Sequence, residues 1–555
     1  MNLTAILRRY LRDRQPAATA HARAVIKRLK GECIWSRTEL EFRDTLLTSA
    51  KGIFDPLDHP TRRAVLICGH QGHELLELWL AVCLRGAGYR VELLIPGTPR
   101  YFDLRKRAAG LFAFRPLKRV PIKRTTRYEI FLEGVPSLSS LAAVFLTVTL
   151  PARYAVSTFM RYFKTSQLPS ARSRSRRQLL TQISESVSWY ETFQSELDWN
   201  GVDFVVGTDV GYTPTGELFE VARSHGKRLV SWNLNALGTS VLVKQSSDFL
   251  PHPYALSPET WKKLCQDPDR ALLERKAIQE LETAYSRGSW FKAVQAAMPD
   301  LDGPNATYRE LPAGNTDRAV IGVFPHIGWD GSFFWGEDLF DTYDDWFREV
   351  VLIARSMPDV EWIVKLHPAH LAKTGGAEIP DDALGLLAWV ASAPNVTVVP
   401  SDDPTPPTVL LKRLSACMTV RGTVGLEAAA LGIPTITAGT GRFENLGFTI
   451  DPPTRTAFYE TISQVAGLKP MEERDIANAR LYLWGSMFGQ GLELDGIELE
   501  VDQNSKQLVP RFLGTTEGTI RSLRVSMEAF RGWLNSASQE PMQSRESRQQ
   551  TRRAP

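Results

Sequence analysis

Cysteine is scarce in this 555-residue sequence: Cys33, Cys68, Cys83, Cys265 and Cys417 are the only five, and no two stand in a CxxC spacing. A disulfide scaffold and a cysteine-based zinc motif are thereby excluded, and three of the five lie inside apolar runs, where small core residues sit. A reducing compartment is expected. Charge of one sign is missing too, since 66 Lys and Arg face 62 Asp and Glu, a net charge of +4. Over such a length that is too little to argue for nucleic acid as a partner. The opening residues MNLTAILRRYLRDRQ lack the apolar core and small-residue cleavage site of a signal peptide, so a cytoplasmic chain is expected. There is no solenoid-type repeat. Nor is there a clear membrane span: the charge-free stretch from Gly134 to Ala152 approaches the roughly 20 residues needed, but Pro136 and Pro151 bracket it and Ser and Thr dilute it. It reads as a buried helix or an interfacial segment.

What is present is ordinary for a folded chain, with 43% hydrophobic and 23% charged residues, and the length fits two to four domains. Residues 1–60 mix Arg and Lys with Leu, Ile and Val at helical spacing, as in LTAILRRYL, and read as basic amphipathic helices. Strand, turn and helix patterns then alternate twice, in AVLICGHQGHELLELWLAVCLRGAGYRVELLIP and in DFVVGTDVGYTPTGELFEVARSHGKRLVSWN. These define a first α/β domain over 61–310. A linker falls within Leu301 to Thr316, and a second α/β domain covers 317–470. Residues 471–535 read as a helical segment and 536–555 as a disordered tail. The fold class is therefore α/β, with two doubly wound, Rossmann-like domains facing a cleft.

Open α/β sheets bind ligands beyond the C-terminal ends of their strands, which directs attention to the polar residues there. In the first domain GHQGHE places His70, Gln71, His73 and Glu74 after a strand, and Asp209 follows another. Each either serves chemistry or caps a helix or turn. In the second domain HIGWDG carries His326, Trp329 and Asp330, with Gly328 and Gly331 for close backbone approach. The run Trp362 to Val364 ends in Lys365 and His367. Cys417 to Val420 ends in Arg421-Gly422-Thr423 and leads into the helix-like GLEAAALG. That turn suits a phosphate, because a helix N-terminus, a glycine, a hydroxyl and a guanidinium converge on it. Glu427, one turn on, is placed to accept ribose hydroxyls, and the glycine turn AGTGR adds Thr440, Gly441 and Arg442. The bland alternative is that the glycines only make tight turns and His367 caps a helix.

The segments VKLHPA, GTVGLEAAALGIPTITAGTGRFENLGFTID and HIGWDGSFFWGEDLFDTYDDWF together resemble the capsule polysaccharide biosynthesis family of bacterial surface-carbohydrate glycosyltransferases, which includes capsular Kdo transferases. The resemblance covers mainly Ala319 to about Pro470. It implies a GT-B fold with the acceptor on the N-terminal domain, a nucleotide-sugar donor on the C-terminal one, no cofactor and no obligatory metal. It also implies that His367 and the Gly422-Thr423 turn bind the donor phosphate. Where those Kdo transferases carry a Gln-x-x-Ser segment this chain has Arg421-Gly422-Thr423, which leaves CMP-Kdo and nucleoside-diphosphate sugars both open as donors.

Glycosyl transfer needs the leaving phosphate neutralised, expected here of Lys365, His367, Arg421 and Arg442. An inverting enzyme also needs a base for the acceptor hydroxyl, expected among His73, Glu74, Asp209 and Asp330. A saccharide or glycolipid acceptor follows. Basic clusters between Arg100 and Arg127, beside the apolar stretch, predict peripheral contact with an anionic inner membrane. Other readings are a sugar-nucleotide 2-epimerase, a polyol-phosphate transferase, or a non-catalytic scaffold of a polysaccharide assembly complex, since fold does not settle function.

Overall fold

The structure is a computed structural model that describes residues 35–54, 61–68, 73–95, 110–117, 132, 134–171, 173–248, 251–292, 318–331, 333–368, 389–401, 403, 405, 407–502, 508–536 and 538–543. The expected basic helices before residue 35, His70, Gln71, most of the basic cluster of 100–127 and the linker of 301–316 lie outside the described residues.

Two parallel sheets organise the chain. The first contains β1 (Arg63–Ile67), β2 (Arg90–Ile95), β3 (Ala113–Pro116), β4 (Val202–Gly207), β5 (Arg228–Leu234) and β6 (Ser240–Ser246). Its order is β3-β2-β1-β4-β5-β6, with only β6 antiparallel among these. The second contains β7 (Val320–Val323), β8 (Glu361–Lys365), β9 (Val396–Val399), β10 (Ala416–Thr419) and β11 (Thr435–Thr437), all parallel, in the order β11-β10-β7-β8-β9. Both are doubly wound, as expected. Each reverses direction at one point, between β1 and β4 in the first and between β7 and β10 in the second. Ligand crevices open at such points.

The strands are continuous apolar runs because both sheet faces are covered. In β1, Ala64 and Leu66 join one core while Val65 and Ile67 join the other. On the first face lie α1 (Arg37–Ile53) and α2 (Glu74–Gly86); on the second lie α4 (Arg153–Phe163), α5 (Arg174–Glu196) and α6 (Thr215–Ser224), with the short α3 (Leu138–Ala142) against α4. After the sheet come α7 (Pro258–Cys265) and α8 (Arg270–Ser286). In the second domain α9 (Tyr343–Ser356) buries Trp346, Phe347, Val350, Val351 and Ala354, a helical stripe laid on the sheet. Each of its larger side chains contributes about 2–3 kcal/mol by leaving water. Thr342 caps that helix by accepting the N–H of Asp345. The remaining helices are α10 (Pro407–Leu411), α11 (Thr423–Ala430), α12 (Arg455–Ser463), α13 (Glu473–Leu483) and α14 (Thr516–Asn535).

Three expectations are corrected. The segment 471–535 is not wholly helical: after α13 and a π-helical turn over Trp484–Gly489, β12 (Leu492–Glu493) pairs with β6, and β13 (Ile497–Val501) forms a hairpin with β14 (Leu508–Phe512). It also returns to the first domain, where α14 packs on α2 and Phe512 stacks on Phe42 at 4.5 Å. The tail is not disordered from residue 536, because Glu540 is 1% exposed and accepts the Ser257 N–H and hydroxyl. The stretch from Gly134 to Ala152 is no single buried helix. Only α3 is helical, and residues 144–152 turn back through a Phe145–Pro151 bridge. Leu146 and Leu150 enter the core while Phe145 and Val148 stand 58% and 95% exposed. No described helix is long and apolar enough to cross a membrane.

Candidate functional site

The loops leaving β7 and β10 meet at the second reversal point. His326, three residues past β7, accepts the backbone N–H of Arg421 on Nε2 at 3.2 Å and stacks on Tyr343 at 4.6 Å. Thr419 ties the two strand ends: its hydroxyl donates to Phe324 O at 3.1 Å and accepts the Gly422 N–H at 3.2 Å. Gly422 is the N-cap of α11, and no side chain caps the first N–H groups of that helix. Arg421 is buried and paired with Asp338, yet its Nε has no partner among the described residues. Burial works against its charge, and Tyr343 and Asp338 hold the charge in place.

Arg442 approaches from the loop after β11. Its Nε donates to His252 Nε2 at 2.9 Å, and among the described residues its two Nη groups have neither a hydrogen-bond partner nor an ion pair. Burial lowers its pKa below the ordinary arginine value. Glu444 does not pair with that guanidinium; its Oε2 accepts the backbone N–H groups of Arg442 and Phe443 at 2.7 and 3.0 Å. His326 is held well below the usual histidine range by burial and by Arg442, His367 and Arg421; His252 by burial and by Arg442, Arg421, Lys244 and His326. The result is a cluster of two arginines and neutral imidazoles that can receive an anion without further deprotonation.

Of the expected donor residues, Arg421, Gly422 and Arg442 converge here, and the charge of His367 reaches His326, whereas the Thr423 side chain bonds to Glu427. Others are engaged elsewhere. Lys365 is buried, and its Nζ donates to the carbonyls of Pro400 (2.6 Å) and Asp403 (3.3 Å). Glu427 points into the core: Tyr285 and Trp290 donate to its two oxygens at 2.5 and 3.1 Å, and it is 1% exposed. Burial pushes its carboxyl up to about 7 despite bonds from Tyr285, Trp290 and Thr423, so the ribose contact expected of it would require partners to leave. Thr440 clamps the loop 335–338, donating its N–H to Glu337 O and accepting the Glu337 N–H on its hydroxyl. Gly441 adopts φ +112°, a conformation open to glycine, where the chain passes Gly336.

Of the residues expected to supply a base, Asp209 and Asp330 come together around one cation. Arg161 Nη1 lies 2.9 Å from Asp209 Oδ2, and its Nε lies 3.6 Å from Asp330 Oδ1. Asp330 also accepts the Tyr212 hydroxyl at 2.9 Å. Asp209 adopts φ +51°, unusual for a residue with a side chain. Glu74 opens α2 and is buried, and His73 precedes it with its ring 5.4 Å from that of Trp232. His252 and the cation Arg161 were not among the expected residues. The signal for His252 is slight, a histidine between two prolines with no motif around it. Among the described residues no group of three or more His, Cys, Asp or Glu side chains could hold a metal.

No protein-family model and no curated protein matches the chain. Among solved structures it is similar to KpsC from Thermosulfurimonas dismutans, as the beta Kdo 2,4 transferase (14% identity over 59% of this chain and 88% of that one, TM-score 0.29) and as the beta Kdo 2,7 transferase (12%, 66%, 93%, 0.32). It is also similar to UDP-GlcNAc 2-epimerase from Neisseria meningitidis bound to UDP-GlcNAc (10%, 75%, 97%, 0.23). Likenesses of this size carry no information about substrate or residue roles.

Proposed function

We propose that the chain is a glycosyltransferase that moves a sugar from a nucleotide-sugar donor to a surface-polysaccharide or lipid-linked acceptor, as in capsule and cell-envelope carbohydrate synthesis. One observation carries the reading. At the reversal point of the second sheet, Arg442 presents two Nη groups without partners beside Arg421, His326, His367 and the uncapped N-terminus of α11. Such a constellation fits a phosphate that gains charge as it leaves.

In the reaction the acceptor oxygen attacks the anomeric carbon, and the bond from that carbon to the phosphate oxygen breaks with its electron pair going to the phosphate. Arg421, Arg442 and the α11 amides meet that charge. The acceptor proton passes to a carboxylate or imidazole across the crevice, drawn from Asp209, Asp330, His73 and Glu74. These cations are placed to do without a divalent ion, so activity is expected to survive chelation. A calorimetric screen of UDP, GDP and CMP tests the donor half. Arg442→Gln and His367→Ala are each expected to weaken the bound nucleotide by about tenfold or more. Full affinity in both variants would overturn the assignment. Product analysis separates transfer from the 2-epimerase reading, since an epimerase changes the nucleotide sugar without any acceptor.

The exposed Phe145 and Val148, at the tip of a turn anchored by Leu146 and Leu150, support peripheral contact with an anionic bilayer. Flotation with anionic liposomes at low salt tests it; a Phe145→Ser, Val148→Ser chain that floats as well as the wild type would refute the tip's role.

A further inference from the structure

His252 lies between β6 and α7, in a segment held from three sides. Lys244 Nζ donates to Ala255 O and lies 3.5 Å from Glu540 Oε2. Glu540 Oε1 accepts the Ser257 N–H at 2.7 Å and the Ser257 hydroxyl at 2.8 Å. Tyr482 accepts the Leu256 N–H at 2.9 Å and donates to Arg442 O, so one phenol links this segment to the Arg442 loop. Lys244, Glu540, Leu256 and Tyr482 are all buried. The imidazole also packs edge-on against Trp335, with ring centroids 5.1 Å apart. Little freedom is left to it.

Its two nitrogens face two N–H donors. Arg442 Nε is 2.9 Å from Nε2, and the Tyr254 backbone N is 3.1 Å from Nδ1. An imidazolium would set donor against donor on both sides, so the ring is neutral. Only one nitrogen of a neutral ring accepts, and the charged donor takes it at Nε2, since a hydrogen bond from an ionised group is the stronger; Nδ1 then carries the proton and makes no bond to the Tyr254 N–H. Of the five N–H bonds of the Arg442 guanidinium, this one is used, and the four on the Nη groups have no partner among the described residues. A carboxylate in place of His252 would also orient Arg442 but would cancel its charge. A neutral acceptor orients it and leaves the charge for a ligand.

We propose that His252, contributed by the N-terminal half of the chain, is a positioning residue of the donor-phosphate site: it holds Arg442 by Nε so that both Nη groups face the leaving phosphate. This rests on the reading of that site as an anion site. It also makes the site complete only when the two halves are docked.

The test measures binding of UDP and of inorganic pyrophosphate to the full chain by calorimetry. His252→Gln keeps a neutral acceptor and is expected to bind within about threefold of the wild type, whereas His252→Phe and His252→Glu each lose about tenfold or more, the worth of one hydrogen bond to a charged group. Arg442→Gln with His252→Phe should bind no more weakly than Arg442→Gln alone, because the two residues act as one unit. Wild-type affinity in both His252→Phe and His252→Glu, with loss in Arg442→Gln, would overturn the role of His252 and leave the anion site standing. Failure of the wild type to bind either probe would overturn the anion site itself. Should His252→Phe not fold, Gln against Glu decides: equal affinities refute the proposal.

Discussion

The Tyr212 hydroxyl crosses between the two halves of the chain, donating to Asp330 Oδ1 at 2.9 Å while accepting the Gly331 N–H at 2.9 Å. Around it the loop after β7 is embedded in the N-terminal half: Ile327 and Trp329 belong to the core of that half, and Phe334 lies so close over Gly211 that a Cβ there would clash with its ring. The same loop carries His326 into the anion cluster. Docking of the two halves and assembly of the cluster of His326, Arg421 and Arg442 are therefore physically one event.

Tyr212→Phe removes both bonds and leaves the aromatic packing. It is expected to lower stability by about 1–3 kcal/mol, the cost of unmet buried partners, read in denaturant unfolding. A variant as stable as the wild type would show that Ile327 and Trp329 hold the loop unaided.

Lys365 serves its own domain. Because its ammonium bonds to the Pro400 and Asp403 carbonyls, Lys365→Met is expected to change nucleotide affinity by less than about threefold, while Arg442→Gln loses about tenfold or more. A Lys365 variant that folds and loses nucleotide binding would return this residue to the phosphate.

Glu427 ties stability to pH. Burial pushes its carboxyl up to about 7 in the folded chain, above its unfolded value of about 4.3. Between those values the folded state holds more protons than the unfolded one, so stability is fully present below the unfolded pKa and falls as pH rises to about 7. Glu427→Gln, a neutral mimic of the protonated form, is expected to remove about 2–3 kcal/mol of that loss. The check is unfolding midpoints at pH 5 and pH 8: parallel pH dependence in variant and wild type would contradict it.

The C-terminal segment should be indispensable. Glu540→Ala leaves Lys244, 2% exposed, without its carboxylate and is expected to cost about 3–5 kcal/mol. Lys244→Met together with Glu540→Leu should recover much of it, since a buried pair is often replaced by apolar residues at little cost. Denaturant titration of the single and double variants measures both.

Much of the fold could be read along the chain. The apolar run at Trp362 to Val364 became β8, and the run at Cys417 to Val420 became β10 within a residue, because a strand buried on both faces has no polar alternation to obscure it. The strand at Ile497–Val501 is missed by that reading, although the alternation Ile497, Glu498, Leu499, Glu500, Val501 is there. Helical spacing on either side hid it, and Pro510 disguised its partner β14. Lys365 and Glu427 show a different limit of the sequence. A lysine after a strand and a glutamate one turn into a helix have the right type and spacing for a donor site. Whether their polar atoms are already taken depends on carbonyls and rings 35 to 142 residues away.

By itself the sequence determined the local pieces: apolar runs of strand length, glycine turns that admit close approach, and Arg421-Gly422-Thr423 at a helix start, where the chemistry favours phosphate. Only the tertiary structure decided which strand ends are neighbours. Because β7 lies between β8 and β10, the loop of His326 meets Arg421 directly, while Lys365 at the end of β8 turns to the Pro400 and Asp403 carbonyls. Only it decided that His252, 190 residues from Arg442, holds that guanidinium. Propensity and periodicity act over a few residues, whereas strand order and domain docking are settled by burying both faces of each sheet at once, a condition on the whole chain.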